Sequence, residues 1–223
     1  MQFTRLLGAL AMSLVLTTAG CTQVVSGSAA PDPDGPPTEI TRDGSGIHVG
    51  FTDAPLQIEI FTEPQCPHCA QLQHDFGKDI ASYINLGELG VTYRPMTFLD
   101  ADGNDYSARV SNALFLAAGP GTGGVAFQDY VEDLWSHQQP GGQAPSNQQL
   151  ADMARESGVG SEQVAKIAAG RSGVDTDEMA DQNVEFLSEI QDTIATPTVY
   201  DLQNDDVIDI YDNNWLSKLL SSI

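Results

Sequence analysis

Leu56-Gln57-Ile58-Glu59-Ile60-Phe61-Thr62-Glu63-Pro64-Gln65-Cys66-Pro67-His68-Cys69 runs from a short, mostly apolar segment into two cysteines with two residues between them. Leu56 to Phe61 reads as a strand. From Cys66 the pattern changes period: Cys69, Leu72, Phe76, Ile80 and Tyr83 recur at intervals of 3, 4, 4 and 3, which predicts a helix over 66 to about 84. Gly87 and Gly90 end it, and Val91 to Met96 reads as the next strand. A strand, a helix and a strand in this spacing make a βαβ unit with parallel strands.

The cysteine pair therefore sits where a strand feeds a helix. A helix N-terminus presents unpaired N–H groups and about half a positive charge, which favours thiolate over thiol. Cys66 is expected to be the exposed, acidified sulfur, and Cys69, one turn in, the buried one that resolves a mixed disulfide. Pro67 suits the first helical turn, where a missing N–H costs little. His68 can bring positive charge beside the thiolate. A second reading keeps the pair as half of a metal site, with His74 as third ligand and His48 or His137 as fourth. Pro-His between the cysteines and the strand before them favour redox chemistry, and no metal or other cofactor is expected.

The N-terminus points to export. Met1 to Arg5 carries one positive charge, Leu6 to Leu16 is almost entirely apolar, and Thr17-Thr18-Ala19-Gly20 supplies small residues before Cys21. The apolar run is too short to span a bilayer comfortably, so residues 1–20 read as a signal peptide. Ala19-Gly20-Cys21 resembles a bacterial lipobox, departing from it at Thr18, and implies lipid on Cys21 and attachment to the outer face of the cytoplasmic membrane. With Cys21 lipidated, Cys66 and Cys69 are the remaining thiols of the three, in a compartment where disulfides persist. A loop this small constrains the unfolded chain little, so the pair is a poor staple. Residues 21–45, rich in Ser, Gly, Pro and Asp, read as a tether, and the folded domain is expected over 46–223. Nine Lys and Arg against 31 Asp and Glu give 223 residues a formal charge of −22, which excludes nucleic acid as a partner.

The middle of the chain reads as helices over 106–118, 125–138, 146–157, from Ser161, and 176–192. Then come strand candidates over 195–200 and 207–211, joined by Asn204-Asp205-Asp206 as a hairpin turn, and a short amphipathic helix from Trp215. The expected architecture is α/β, βαβ–ββα, with a helical insertion at about 105–192.

Glu63 to Cys69, the helical insertion and Thr196-Pro197 together resemble the DsbA-like branch of the thioredoxin superfamily. Asp53-Ala54-Pro55 and Arg94-Pro95-Met96-Thr97-Phe98-Leu99-Asp100 resemble its membrane-tethered actinobacterial members. The resemblance runs from about Ile47 to the C-terminus. It implies a thioredoxin fold, Cys66 as nucleophile, Cys69 as resolving thiol, and a cis Pro197 that faces the pair and binds substrate backbone together with Thr196. It implies as partners exported proteins with thiols or disulfides and a membrane redox protein that recycles the pair. Two departures stand out. Relatives carry an acid six residues before the first cysteine as proton acceptor for the buried thiol; here that residue is Ile60, and alternation sends Glu59 to the other face. Proton handling then passes to water or His68. Thr196 stands where strongly oxidising members have valine, so oxidase, isomerase and reductase all stay open, with oxidation expected.

Overall fold

The computed structural model describes residue 32, residues 34–101 and residues 103–221; the apolar N-terminal segment and Cys21 lie outside the described residues. The chain enters its sheet inside the stretch expected to be tether. β1 (Thr38–Ile40) pairs antiparallel with β2 (Ile47–Val49), Thr38 facing Val49 and Ile40 facing Ile47. Side chains close the hairpin: Gly46 N–H donates to Thr41 Oγ1 at 2.8 Å and Ser45 N–H to Asp43 Oδ1 at 3.0 Å. The polar composition that reads as a linker is here turn chemistry.

β3 (Leu56–Thr62) and β4 (Leu89–Pro95) pair in parallel on either side of α1 (Pro67–Leu86), forming the βαβ unit read from the sequence. Gly87 ends α1 in the left-handed region at φ 72°, with the Glu88 N–H closing back on the Tyr83 carbonyl at 3.0 Å. That conformation costs a side-chain-bearing residue more than glycine. The helical block follows: α2 (Tyr106–Ala117), α3 (Gly124–Ser136), α4 (Asn147–Glu156), α5 (Ser161–Ala168) and α6 (Thr176–Ile190). Ser146 caps α4 in a reciprocal box with Gln149.

β5 (Thr198–Asp201) begins one residue after Pro197, which has no N–H for the ladder. β6 is only Asp206–Val207, shorter than the expected strand over 207–211. Asp209 and Asp212 accept from the Tyr211 and Asn214 amides and bend the backbone away from the sheet. α7 (Trp215–Leu220) closes the chain. The sheet order is β1-β2-β4-β3-β5-β6, with β5 antiparallel to β3.

β3 is covered on both faces. Leu56, Ile58 and Ile60 join Cys69, Leu72, Ile80 and Ile84 of α1 in the main core, together with Trp135 and Trp215. Each such fully buried aliphatic side chain contributes about 1.5–3 kcal/mol. Phe61 lies in a smaller cluster with Met96, Leu187 and Tyr200. On that face Glu59 is buried against Arg94, whose Nη2 donates to Glu59 Oε1 at 2.9 Å.

Candidate active site

Cys66 is the N-cap of α1, with extended backbone at φ −75° and ψ 117°, and Pro67 occupies the first turn. Its carbonyl accepts from the Cys69 and Ala70 amides at 3.1 and 3.2 Å, the first bonds of the helix. The Thr196–Pro197 bond is cis. It brings the Thr196 carbonyl to 3.2 Å from Cys66 Sγ, across 130 positions of sequence. The strand–helix junction and the Thr196-Pro197 loop thus meet at one sulfur.

The two cysteines differ as expected in order, but not in degree. Cys66 retains 7% of its surface and Cys69 none, so the first cysteine is recessed rather than freely exposed. Hydrogen bonds from the Cys69 thiol, from the Thr196 side chain and from the Cys69 and His68 amides hold Cys66 down at about 5, against the burial that raises it. Burial pushes the Cys69 thiol well above the ordinary range, and the neighbouring Cys66 adds to it. One sulfur is a thiolate at neutral pH and the other a thiol.

The sequence reading missed Glu63. This residue is fully buried three positions before Cys66. Its N–H donates to Cys69 Sγ at 3.5 Å, and its carbonyl accepts from Cys66 N–H at 3.0 Å. The carboxylate accepts from the Gln65 amide at 2.6 Å and from the Ser107 hydroxyl of α2. Burial first, then Asp100 and Cys66, push it up to about 7 despite those hydrogen bonds. Gln65, 2% exposed, donates onward to Asp100 at 2.9 Å and Ser107 at 3.1 Å. An acid in the connection before the first cysteine was the available signal, but a loop carboxylate normally reads as surface.

Ile60 is packed in the apolar core and Glu59 points to the opposite face, as the alternation requires. Pro67 and His68 are exposed, and the His68 ring hydrogen-bonds nothing among the described residues; its amide, rather than its ring, bears on Cys66. The candidate metal ligands are dispersed. His74 projects from α1 with 82% of its side chain exposed and pairs with Asp75, His48 lies on β2, and His137 caps α3. Among the described residues no group of three or more His, Cys, Asp or Glu is placed to hold a metal ion.

A Cys-X-X-Cys pair at the head of a helix, facing a cis-proline across a βαβ–ββα sheet, defines the thioredoxin-fold class. The chain belongs to the thioredoxin family, whose model, described as Thioredoxin, matches residues 42–215. It is similar in fold to MdbA, a thiol-disulfide oxidoreductase from Corynebacterium diphtheriae, at a TM-score of 0.70 and 23% identity over 83% of this chain and 93% of that one. DsbA from Mycobacterium tuberculosis in its reduced form aligns at a TM-score of 0.60 and 19% identity, over 81% and 92% of the two chains. In sequence the chain is 30% identical over 180 residues to the serine/threonine-protein kinase PknE of Mycobacterium tuberculosis. The match covers 78% of this chain and only 31% of the kinase.

Proposed function

We propose that this protein is an exported thiol–disulfide oxidoreductase that introduces disulfides into exported proteins by cycling Cys66 and Cys69. The observation that carries this reading is the pairing of an acidified Cys66 at the N-cap of α1 with a buried, protonated Cys69.

In the oxidising direction a substrate thiolate attacks Cys66 Sγ of the Cys66–Cys69 disulfide. The bond between the two protein sulfurs breaks, a bond between substrate and Cys66 forms, and Cys69 leaves and takes up a proton. A second substrate thiolate then attacks the substrate sulfur of the mixed disulfide, and Cys66 leaves as the thiolate. The substrate loses two electrons and two protons; the pair gains both electrons, and Cys69 keeps one proton. A membrane redox partner that accepts two electrons restores the disulfide. Thr196 and Pro197, beside Cys66, hold the extended substrate. A stabilised Cys66 thiolate makes the reduced form the resting one, so the disulfide is readily given up.

Export and a lipid on Cys21 belong to the same reading. The support for it is the apolar run Leu6 to Leu16 followed by Ala19-Gly20-Cys21; no helix among the described residues is long and apolar enough to cross a membrane. Cys21→Ser should release the protein from the membrane fraction and leave its redox activity intact.

The deciding experiment mixes the oxidised protein with a reduced, unfolded thiol protein and follows loss of substrate thiols. Cys66→Ser should abolish it, and Cys69→Ser, offered a substrate that already carries a disulfide, should trap a mixed disulfide on Cys66 as the displaced substrate sulfur leaves as a thiolate. The potential against glutathione fixes direction: DsbA lies near −120 mV and thioredoxin near −270 mV. A value at or below about −240 mV on that scale would make the protein a reductase.

A further inference from the structure

We propose that the Glu63 carboxyl, held behind the cysteines by Ser107 and the Gln65 amide, takes up a proton when the Cys66–Cys69 disulfide is reduced and returns it on oxidation. This rests on the thiol–disulfide reading of the pair, and it assigns the proton that reading leaves over.

The proton count requires an acceptor. Oxidising a dithiol to a disulfide releases two electrons and two protons. Cys69 takes one proton, while Cys66 is held as a thiolate and takes none. The second proton goes to water unless a nearby base strengthens at that step. Glu63 is placed to do so. It has no exposed surface, and its own N–H reaches Cys69 Sγ. The charge on Cys66 raises its proton affinity. That charge exists only in the reduced state, because in the disulfide Cys66 carries none. Electron arrival therefore makes Glu63 a stronger base, and electron departure makes it a weaker one.

The ionisable groups facing Glu63 all push the same way. Asp100, in the loop before α2, repels it, and so does the Cys66 thiolate. Tyr106 of α2 and Cys69 of α1 face it as neutral groups whose ionisation burial opposes. Among the described residues no Lys, Arg or His pairs with it. Its counterweights are neutral donors, the Ser107 hydroxyl and the Gln65 amide, which favour the charged form. Ser107 lies 44 positions away on the first helix of the inserted block, so that block sets the proton affinity of a group at the redox pair.

The test is the pH dependence of the equilibrium with glutathione, measured between pH 6 and 8 from the reduced and oxidised fractions after acid quench. Throughout this range the glutathione thiol remains mostly protonated (free cysteine about 8.5). If Glu63 stays ionised, reduction of the protein by glutathione releases one proton, and the constant changes about tenfold per pH unit. Where Glu63 captures that proton, the constant becomes nearly independent of pH. Wild type should show a flattened segment near neutrality. Glu63→Gln should restore the full tenfold slope. Ser107→Ala leaves the carboxyl in place and removes a donor to its charged form, so its flattened segment should move to higher pH. A wild-type profile with the full slope throughout overturns the proposal. So does a Glu63→Gln profile that parallels wild type, or, should that variant not fold, a Ser107→Ala profile that superposes on wild type. A wild-type protein that forms no reversible Cys66–Cys69 disulfide with glutathione at any pH removes the oxidoreductase reading itself, and this one with it.

Discussion

Gln138, just beyond α3, donates its side-chain Nε2 to two carbonyls of the segment that leads into α1, Pro64 at 3.0 Å and Cys66 at 3.2 Å. The inserted block is thereby tied to the residue that starts α1. Gly141 N–H adds a second tie through Gln65 Oε1 at 3.0 Å. Removing the Gln138 amide leaves two partly buried carbonyls short of a donor, and a neutral hydrogen bond contributes about 0.5–1.5 kcal/mol net. Gln138→Ala should lower stability by about 1 kcal/mol, measured by urea denaturation of the reduced protein.

Iodoacetamide alkylation against pH should give a midpoint near 5 for Cys66, with Cys69 unreactive in the native state. A midpoint near the free-cysteine value of about 8.5 would remove the acidified nucleophile from the account. The same shift has a stability consequence. The folded value lies below the unfolded one, so ionisation of Cys66 stabilises the reduced fold fully above the unfolded value. That contribution declines as pH falls toward about 5 and is gone below it. Cys66→Ser should lack this slope when the reduced forms are unfolded in denaturant at pH 9 and pH 5.

Thr196→Val keeps the carbonyl beside Cys66 and deletes the side-chain hydrogen bond to it. A hydrogen bond to a charged group contributes about 1.5–3 kcal/mol, and one pH unit is 1.36 kcal/mol, so the Cys66 midpoint should rise by about one to two units. An unchanged alkylation midpoint would take Thr196 out of the electrostatics of the site.

Arg94 spans the face opposite the main core. It donates to Glu59 by Nε at 3.2 Å and Nη2 at 2.9 Å, and by Nη1 to Asp43 and Ser45, each at 2.9 Å. The guanidinium also lies 4.8 Å from the Phe186 ring centroid, which fastens β4 to α6. Burial pushes the Glu59 carboxyl up even with Arg94 against it, so the pair is held in a costly environment. Arg94→Met strands a buried carboxylate and should destabilise the protein by about 3–5 kcal/mol. Glu59→Leu combined with Arg94→Met should recover most of that loss, as thermal unfolding of single and double variants would show.

The helices were legible wherever the pattern was local. The intervals from Cys69 to Ile80 place one face of α1 in the core, and Ser146 with Gln149 marks the start of α4. The strand Thr38–Ile40 was not legible, because its three residues sit in a polar, Pro- and Gly-rich stretch. Only the pairing with β2, closed by the Thr41 and Asp43 side chains, makes them sheet. The expected length of β6 failed in the opposite sense: Val207 to Tyr211 alternates well, but aspartates nearby in sequence turn the backbone.

At the site, the sequence alone determined where the two sulfurs sit, while Thr196 and burial, both set by the tertiary structure, decide how far each is shifted. Two cysteines spaced across the first turn of a helix receive one N-terminal field whatever surrounds them, and a proline at the next position fits that turn. The acid that accompanies them was decided by tertiary structure. Glu63 is an ordinary loop carboxylate until α2 brings Ser107, 44 positions on in sequence, over it and buries it behind Cys66. Local periodicity reports which face of an element turns inward; desolvation depends on what arrives to cover it, and here the covering element is the inserted helical block.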